Sequence, residues 1–174
     1  LRIGWGKADE LRDAIGRLRD RGVHTVAHLE VQSFSANKEL FVACAADEIY
    51  VAPGSAVPLV GMAAEYLFLG GFWESLGVEF DVARAGRYKS AVELFAERTM
   101  SPASREMANS LLDDTFDRFV AALASGRNMS TLEILEAIDA GPVRSQTLEA
   151  MGLIDGELHF DQLLERIGKQ VVRH

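Results

Sequence analysis

Between Lys7 and Arg21 the apolar residues Ala8, Leu11, Ala14, Ile15 and Leu18 recur at intervals of three and four, with Asp, Glu and Arg between them. At 3.6 residues per turn these positions share one face, so the spacing predicts an amphipathic helix over 7–21. Gly22 is placed to end it, since glycine tolerates the left-handed conformation that closes many helices. His24 to Val31 then forms a β-branched-rich run of strand length. A helix is expected over about 38–46 and a short strand over 48–52, closed by Pro53-Gly54. Helix, strand, helix, strand at such short spacing is the βαβ rhythm of a mostly parallel sheet.

The second half continues the alternation. A helix is expected over about 63–76, with Leu67, Leu69, Phe72 and Trp73 on its apolar face, then Gly77, a strand over 78–83 and a loop over 84–90. From Ser101-Pro102 a long helix should run to about Ser125, with serine as its N-cap and proline at its first helical position. Ser130-Thr131-Leu132-Glu133 has capping-box spacing and opens another helix, which Gly141-Pro142 ends. Ala150 to Gly156 leads into a terminal helix. The chain carries no internal repeat, no low-complexity stretch and no marked internal boundary. Around the 63–76 helix, Met62, Phe68, Phe72 and Trp73 exceed what one sheet face can cover, and a surplus of this kind predicts an interface.

Composition narrows the function classes. At 174 residues and 48% hydrophobic the chain can bury one domain-sized core. It has 18 basic and 26 acidic residues, a net charge of -8 and no basic run, so a nucleic-acid partner is not expected. Cys44, among Val42, Ala43, Ala45 and Ala46, reads as a core residue. The four histidines lie at 24, 28, 159 and 174 without metal-site spacing. On a strand His24 and His28 would stand about 13 Å apart, too far to share an ion, and both read as structural. Neither a metal nor a cofactor is expected, because no glycine-rich phosphate loop opens a helix. No stretch reaches the ~18 apolar residues that span a bilayer, so this sequence is expected to be soluble. Leu1-Arg2-Ile3-Gly4-Trp5-Gly6 reads as the middle of a longer protein.

The chemistry concentrates in Gly86-Arg87-Tyr88-Lys89-Ser90-Ala91-Val92-Glu93-Leu94-Phe95, followed by Met100-Ser101-Pro102-Ala103-Ser104-Arg105-Glu106. Lys89 follows an expected strand and adjoins Tyr88 and an apolar patch. In such surroundings a lysine loses water and its pKa falls, and the neutral amine can act as a general base. These two segments resemble the lysine signature of the signal peptide peptidase (protease IV) family, Gly-x-Tyr-Lys-Ser-Ala-x-Glu-x-Phe before a Met-Ser-Pro-x-x-Arg-Glu helix start. The resemblance covers nearly the whole chain, through Ala8-Asp9-Glu10-Leu11, Ala45-Ala46-Asp47-Glu48-Ile49-Tyr50, Pro53-Gly54, Gly61, Leu76-Gly77-Val78 and Ala150-Met151-Gly152-Leu153-Ile154-Asp155.

What the resemblance implies is an α/β fold of the crotonase and Clp protease type, a twisted parallel sheet flanked by helices, with a serine–lysine dyad in which Lys89 is the catalytic base. The nucleophile position departs from the pattern. Counting back from Ala46-Asp47 places it at Asn37, with Lys38 and Glu39 where the family has two glycines. Ser33 and Ser35 read as turn or cap residues in preference to a hydroxyl offered to a neighbour's lysine, Ser90 equally as a hydrogen-bond partner of the dyad or a helix cap, and Glu93 as a cap or local ion-pair partner. Lysine without serine resembles the N-terminal halves of two-domain members, so residues 1–174 are expected to form one domain of a longer chain. Its expected partners are a peptide substrate, a homologous serine-bearing domain and further copies in a homo-oligomeric ring. Signal peptides or similar hydrophobic peptides are the implied substrates. The implied location is the outer, periplasmic face of a bacterial inner membrane, with membrane association through parts outside this chain. A non-catalytic scaffold domain and a crotonase-type acyl-CoA enzyme are the alternatives.

Overall fold

A computed structural model describes residues 3–31, 34–80 and 92–171. The elements run α1 (Trp5–Asp20), β1 (Val26–Leu29), α2 (Asn37–Ala43), β2 (Glu48–Val51), α3 (Gly70–Ser75), α4 (Glu93–Ala96), α5 (Pro102–Arg127), α6 (Thr131–Asp139), α7 (Ser145–Ala150), β3 (Gly156–Glu157) and α8 (Phe160–Val171). They mix helices with a small parallel sheet of three strands, ordered β1-β2-β3. Val26 pairs with Glu48 and Leu29 with Val51, and Tyr50 pairs with Gly156. The chain forms two compact units, Leu1–Gly61 with Arg118–His174, and Met62–Asp117, and the division falls within α5.

The first unit holds the sheet. Its core includes Leu40, Ile49, Val51, Val57, Leu59, Phe119, Leu123, Ile134, Leu148 and Leu153, all fully buried. Trp5 sets its ring edge-on to Phe41 and Phe119. Arg12 donates from its guanidinium to the carbonyls of Phe41 and Ala122, at 2.8 and 2.9 Å. Helix ends follow their local chemistry. Gly22 takes a φ of +77° just past α1, and Asn128, at +53°, closes α5 as the Met129 N–H returns to the Ala124 carbonyl. Ser130 and Glu133 form the expected capping box at α6.

Two expectations from the pattern fail. Of the 63–76 helix only α3 forms; residues 61–69 are neither helix nor strand. The Leu69 and Gly70 N–H groups donate to the carbonyls of Leu94 and Glu97, so long-range backbone pairing replaces the i−4 bonds a helix would need. Gly70 approaches Glu97 so closely that a Cβ there would lie 2.4 Å from its carbonyl carbon. Residues 78–80 lie in no strand, and 81–83 fall outside the described residues. The pattern also missed α7 and β3, which are six and two residues long. Periodicity needs more residues than these to register.

Carboxylates knit the sheet. Thr25 donates its N–H and its hydroxyl to Asp47, and the backbone bonds hold Asp47 below the usual carboxylate range. Glu48 is lowered by the Tyr50 hydroxyl, and His24 and Arg166 bind it as well. Asp155 accepts the Ile49 N–H at 2.7 Å and a two-pronged contact from Arg127 at 3.0 and 2.9 Å. Burial pushes Asp155 up, but Arg127 and the Ile49 N–H outweigh it and its pKa is lowered. These groups release protons more readily in the folded chain than in the unfolded one. Their contribution is therefore complete above the unfolded carboxylate pKa of about 4 and is lost as pH falls through the lower folded values. Urea midpoints are expected to stay level from pH 7 to 5 and to drop below about pH 4. Asp155→Asn should cost on the order of 1–2 kcal/mol at pH 7 and flatten that acid limb. An unchanged limb in the variant would assign the acid sensitivity elsewhere.

Candidate functional site

Parallel α/β sheets build their sites where loops leave the carboxyl ends of the strands. Here the loop after β1 and the segment after β2 meet at such an edge. The Ala36 N–H donates to the Pro58 carbonyl at 2.8 Å. Asn37, the first residue of α2, lies in the nucleophile position implied by the sequence and is only 6% exposed. Its carboxamide spans the backbone of Val60, donating from Nδ2 to the carbonyl at 2.7 Å and accepting the N–H on Oδ1 at 3.1 Å. Both polar ends are thus satisfied in a buried place, where an unpaired amide would cost several kcal/mol at worst, roughly 1–3 by protein mutational scales. An amide held in this way has no hydroxyl to ionise and cannot form an ester with a substrate.

The neighbouring positions are also put to structural use. Ser35 accepts the Asn37 N–H at 3.3 Å, a turn role. Lys38 donates to the Ile3 carbonyl at 2.8 Å and lies over the Trp5 ring. Where the family pattern has glycine, this chain has a lysine that ties α2 to the segment before α1. Ser33 lies outside the described residues, as do Lys89 and Ser90.

The second unit carries a polar cluster around α4 and the start of α5. Glu93 opens α4 and is buried, at 3% exposure. Its carboxylate accepts the Ser101 N–H at 3.2 Å, the Ser101 hydroxyl at 2.8 Å and the Ser104 hydroxyl at 2.6 Å. Ser101 in turn accepts the Ser104 N–H at 3.2 Å, as an N-cap of α5 should. The Glu-x-Phe and Met-Ser-Pro stretches of the sequence are therefore bonded to each other. Beside them lies a small, mostly apolar cavity of about 90 Å³, lined by Tyr66, Phe68, Leu94, Met100 and Met107 with Glu93 and Ser104 at its wall. Sequence reasoning placed Tyr66 and Phe68 on a helix. The signal that would have freed them, backbone pairing of 69–70 with 94–97, is long-range and invisible to periodicity.

Other candidate groups resolve into packing roles. His24 bonds Glu48 at 2.8 Å, and His28 donates to the Leu158 carbonyl at 2.8 Å. Among the described residues no group of three or more His, Cys, Asp or Glu side chains is placed to hold a metal ion. Cys44 is fully buried, and burial pushes its thiol up to about 12. It is inert as a nucleophile. Among the described residues no helix is long and apolar enough to cross a membrane.

Comparison with known proteins agrees with the sequence resemblance. A sequence model of peptidase family S49 matches residues 19–172. Among similar proteins are the chloroplastic serine protease SPPA of Arabidopsis thaliana, 28% identical over 97% of this chain, and Protease 4 of Haemophilus influenzae, 28% identical over 73%. Protease 4 of Salmonella typhi is 29% identical over 73%. The matches span 25% of the Arabidopsis chain's length and 20% of each Protease 4.

Proposed function

This chain belongs to peptidase family S49, and we propose that it serves as the lysine-bearing half of a serine–lysine endopeptidase. The observation that carries this reading is Asn37, a buried carboxamide bonded on both sides to Val60 at the position where the family pattern has its serine. Lys89, within the intact signature Gly86 to Phe95, supplies the base to a serine on an adjacent homologous domain. The neutral Lys89 amine takes the serine hydroxyl proton as the oxygen attacks the scissile carbonyl. The resulting ammonium returns that proton to the leaving amine, and water then repeats the cycle to release the acyl group.

Residues 1–174 form, in this reading, a crotonase-like domain in the N-terminal half of the longer protein. The parallel order β1-β2-β3 with its surrounding helices supports that fold. Apolar peptides, signal peptides among them, are the substrate class. The 90 Å³ cavity beside Glu93, walled by Tyr66, Phe68, Met100 and Met107, supports an apolar side chain there. Assembly into a homo-oligomeric ring, on the outer face of a bacterial membrane, completes the proposal. Its support is apolar surface in residues 62–117, where Leu67, Phe72, Leu76, Phe80 and Phe95 are each at least 46% exposed.

The isolated chain is expected not to react with a fluorophosphonate serine probe, whereas the full-length protein should label once per serine-bearing domain. Stoichiometric labelling of the isolated chain, mapped to Ser33 or Ser35 by peptide mass, would overturn the division of the dyad between domains.

A further inference from the structure

We propose that a cleft in the second unit, between residues 64–68 and the first half of α5, takes the free carboxyl end of a peptide. Arg105 meets the carboxylate and the terminal apolar side chain enters the adjoining cavity; the proposal rests on the reading that apolar peptides are the substrate class. The cleft has a volume of about 330 Å³. One wall is Ala64, Tyr66 and Phe68, every second residue of a segment that is neither helix nor strand. The other is a face of α5 on which Arg105, Ala108, Asn109 and Leu112 follow one another at helical spacing. Tyr66, Phe68, Met100 and Ala108 also line the 90 Å³ cavity, so the two spaces adjoin.

Charge, backbone and size each fit that ligand. In a chain of net charge -8, the cleft lining holds two arginines and no aspartate or glutamate. Arg98 is engaged, its Nε donating to Glu74 at 2.6 Å. Among the described residues, neither Arg105 nor Asn109 has a side-chain hydrogen bond or ion pair. A guanidinium and a carboxamide four residues apart on one helix face can both donate to a single carboxylate. Glu93 at the cavity wall disfavours a second carboxylate there, which leaves the Arg105 end for the charge. Among the described residues, no hydrogen bond engages the backbone N–H or carbonyl groups of 62–68, and an extended peptide pairs with such a free stretch of main chain. A cavity of about 90 Å³ admits one small aliphatic side chain and excludes a long acyl chain, which favours a peptide over a fatty acid. In a C-terminal residue the carboxylate and the side chain leave the same Cα, so one residue can fill both spaces.

The test is fluorescence anisotropy of two N-terminally labelled apolar peptides ending in leucine, one with a free carboxylate and one with a carboxamide. Each is titrated with the full-length protein carrying Lys89→Ala, and mass spectrometry of the recovered peptide checks that it stays uncut. The acid is expected to bind about tenfold tighter than the amide, because a charge-assisted hydrogen bond is at stake. Arg105 is exposed, so its variants are expected to fold. Adding Arg105→Ala should remove the tenfold preference and leave amide binding within about twofold, and Arg105→Lys should restore part of it. A diazirine analogue of leucine at the last position should crosslink to residues 64–68 or 100–108. Equal binding of acid and amide, an acid preference that survives Arg105→Ala, or crosslinks confined to other segments would each overturn the proposal. Displacement of the acid peptide by dodecanoate at equal affinity would assign the cleft to fatty acids and overturn it as well. The peptidase reading fails separately. If the Lys89→Ala protein cuts the peptide, the proposed base falls while the ratio of acid to amide crosslinking still decides the cleft. Turnover lost with Lys89→Ala, together with equal binding of the two peptides, removes the carboxylate site and leaves the dyad.

Discussion

Lys89→Ala in the full-length protein is expected to abolish peptide hydrolysis while folding and assembly stay nearly intact. The base must be neutral to take the serine proton, so in the assembled enzyme its amine is expected to be desolvated and its pKa depressed. Removing a general base costs about 10²–10⁴-fold in the chemical step, and a lysine in that role is expected to contribute little to the core. Lys89→Arg should fail equally, because a guanidinium stays protonated at any working pH and has no lone pair to offer. Sedimentation of both variants should match wild type. Near wild-type turnover by either one would show that Lys89 is not the base and would favour a scaffold role for this domain.

The largest effect on stability is expected at Gly126, and its sign runs against helix propensity. Alanine is better than glycine in a helix interior by about 1 kcal/mol, so Gly16→Ala in α1, where nothing lies within 4 Å of the new methyl, should stabilise by up to that amount. At Gly126 in α5 the same methyl would lie 2.0 Å from the Cys44 carbonyl oxygen and 2.8 Å from its Cβ. The obstacle is backbone at the end of α2, so no side-chain rotation relieves it, and α5 must move away from a fully packed core. A loss of roughly 3 kcal/mol or more follows, about 6–12 °C in Tm for a chain of this size. Thermal unfolding of the two variants side by side checks the contrast. Stabilisation at both positions would mean that α5 and the Cys44 turn do not touch as described.

The motifs legible in the sequence turn out to be of different physical kinds. Asp47 and Asp155, parts of two stretches that carried the family resemblance, serve architecture: Asp47 binds Thr25 across the β1–β2 edge, and Asp155 joins β2 to the end of α5 through Ile49 and Arg127. Neither role could be read from spacing, because each joins residues at least 22 positions apart. Glu93 was legible as a cap or an ion-pair partner. Its bonds to Ser101 and Ser104 required the fold to bring the start of α5 back onto α4.

Local chemistry by itself determined the amphipathic α1, the serine and proline that start α5, and the capping box of α6, since each depends on contacts within a few residues, whereas β1 and β2 were legible from composition but are held by pairing across 22 positions. The Gly86 to Phe95 signature and the asparagine at position 37 were also legible in the sequence, and the proposed division of base and nucleophile between domains rests on them. Tertiary structure alone decided the fate of 61–69. A segment with helical composition gave up its i−4 bonds because Leu69 and Gly70 found partners at Leu94 and Glu97. It decided as well how Asn37 is held. A carboxamide carries a donor and an acceptor on one planar group, and only the meeting of the segments after β1 and β2 puts the Val60 N–H and carbonyl where that group can bind both.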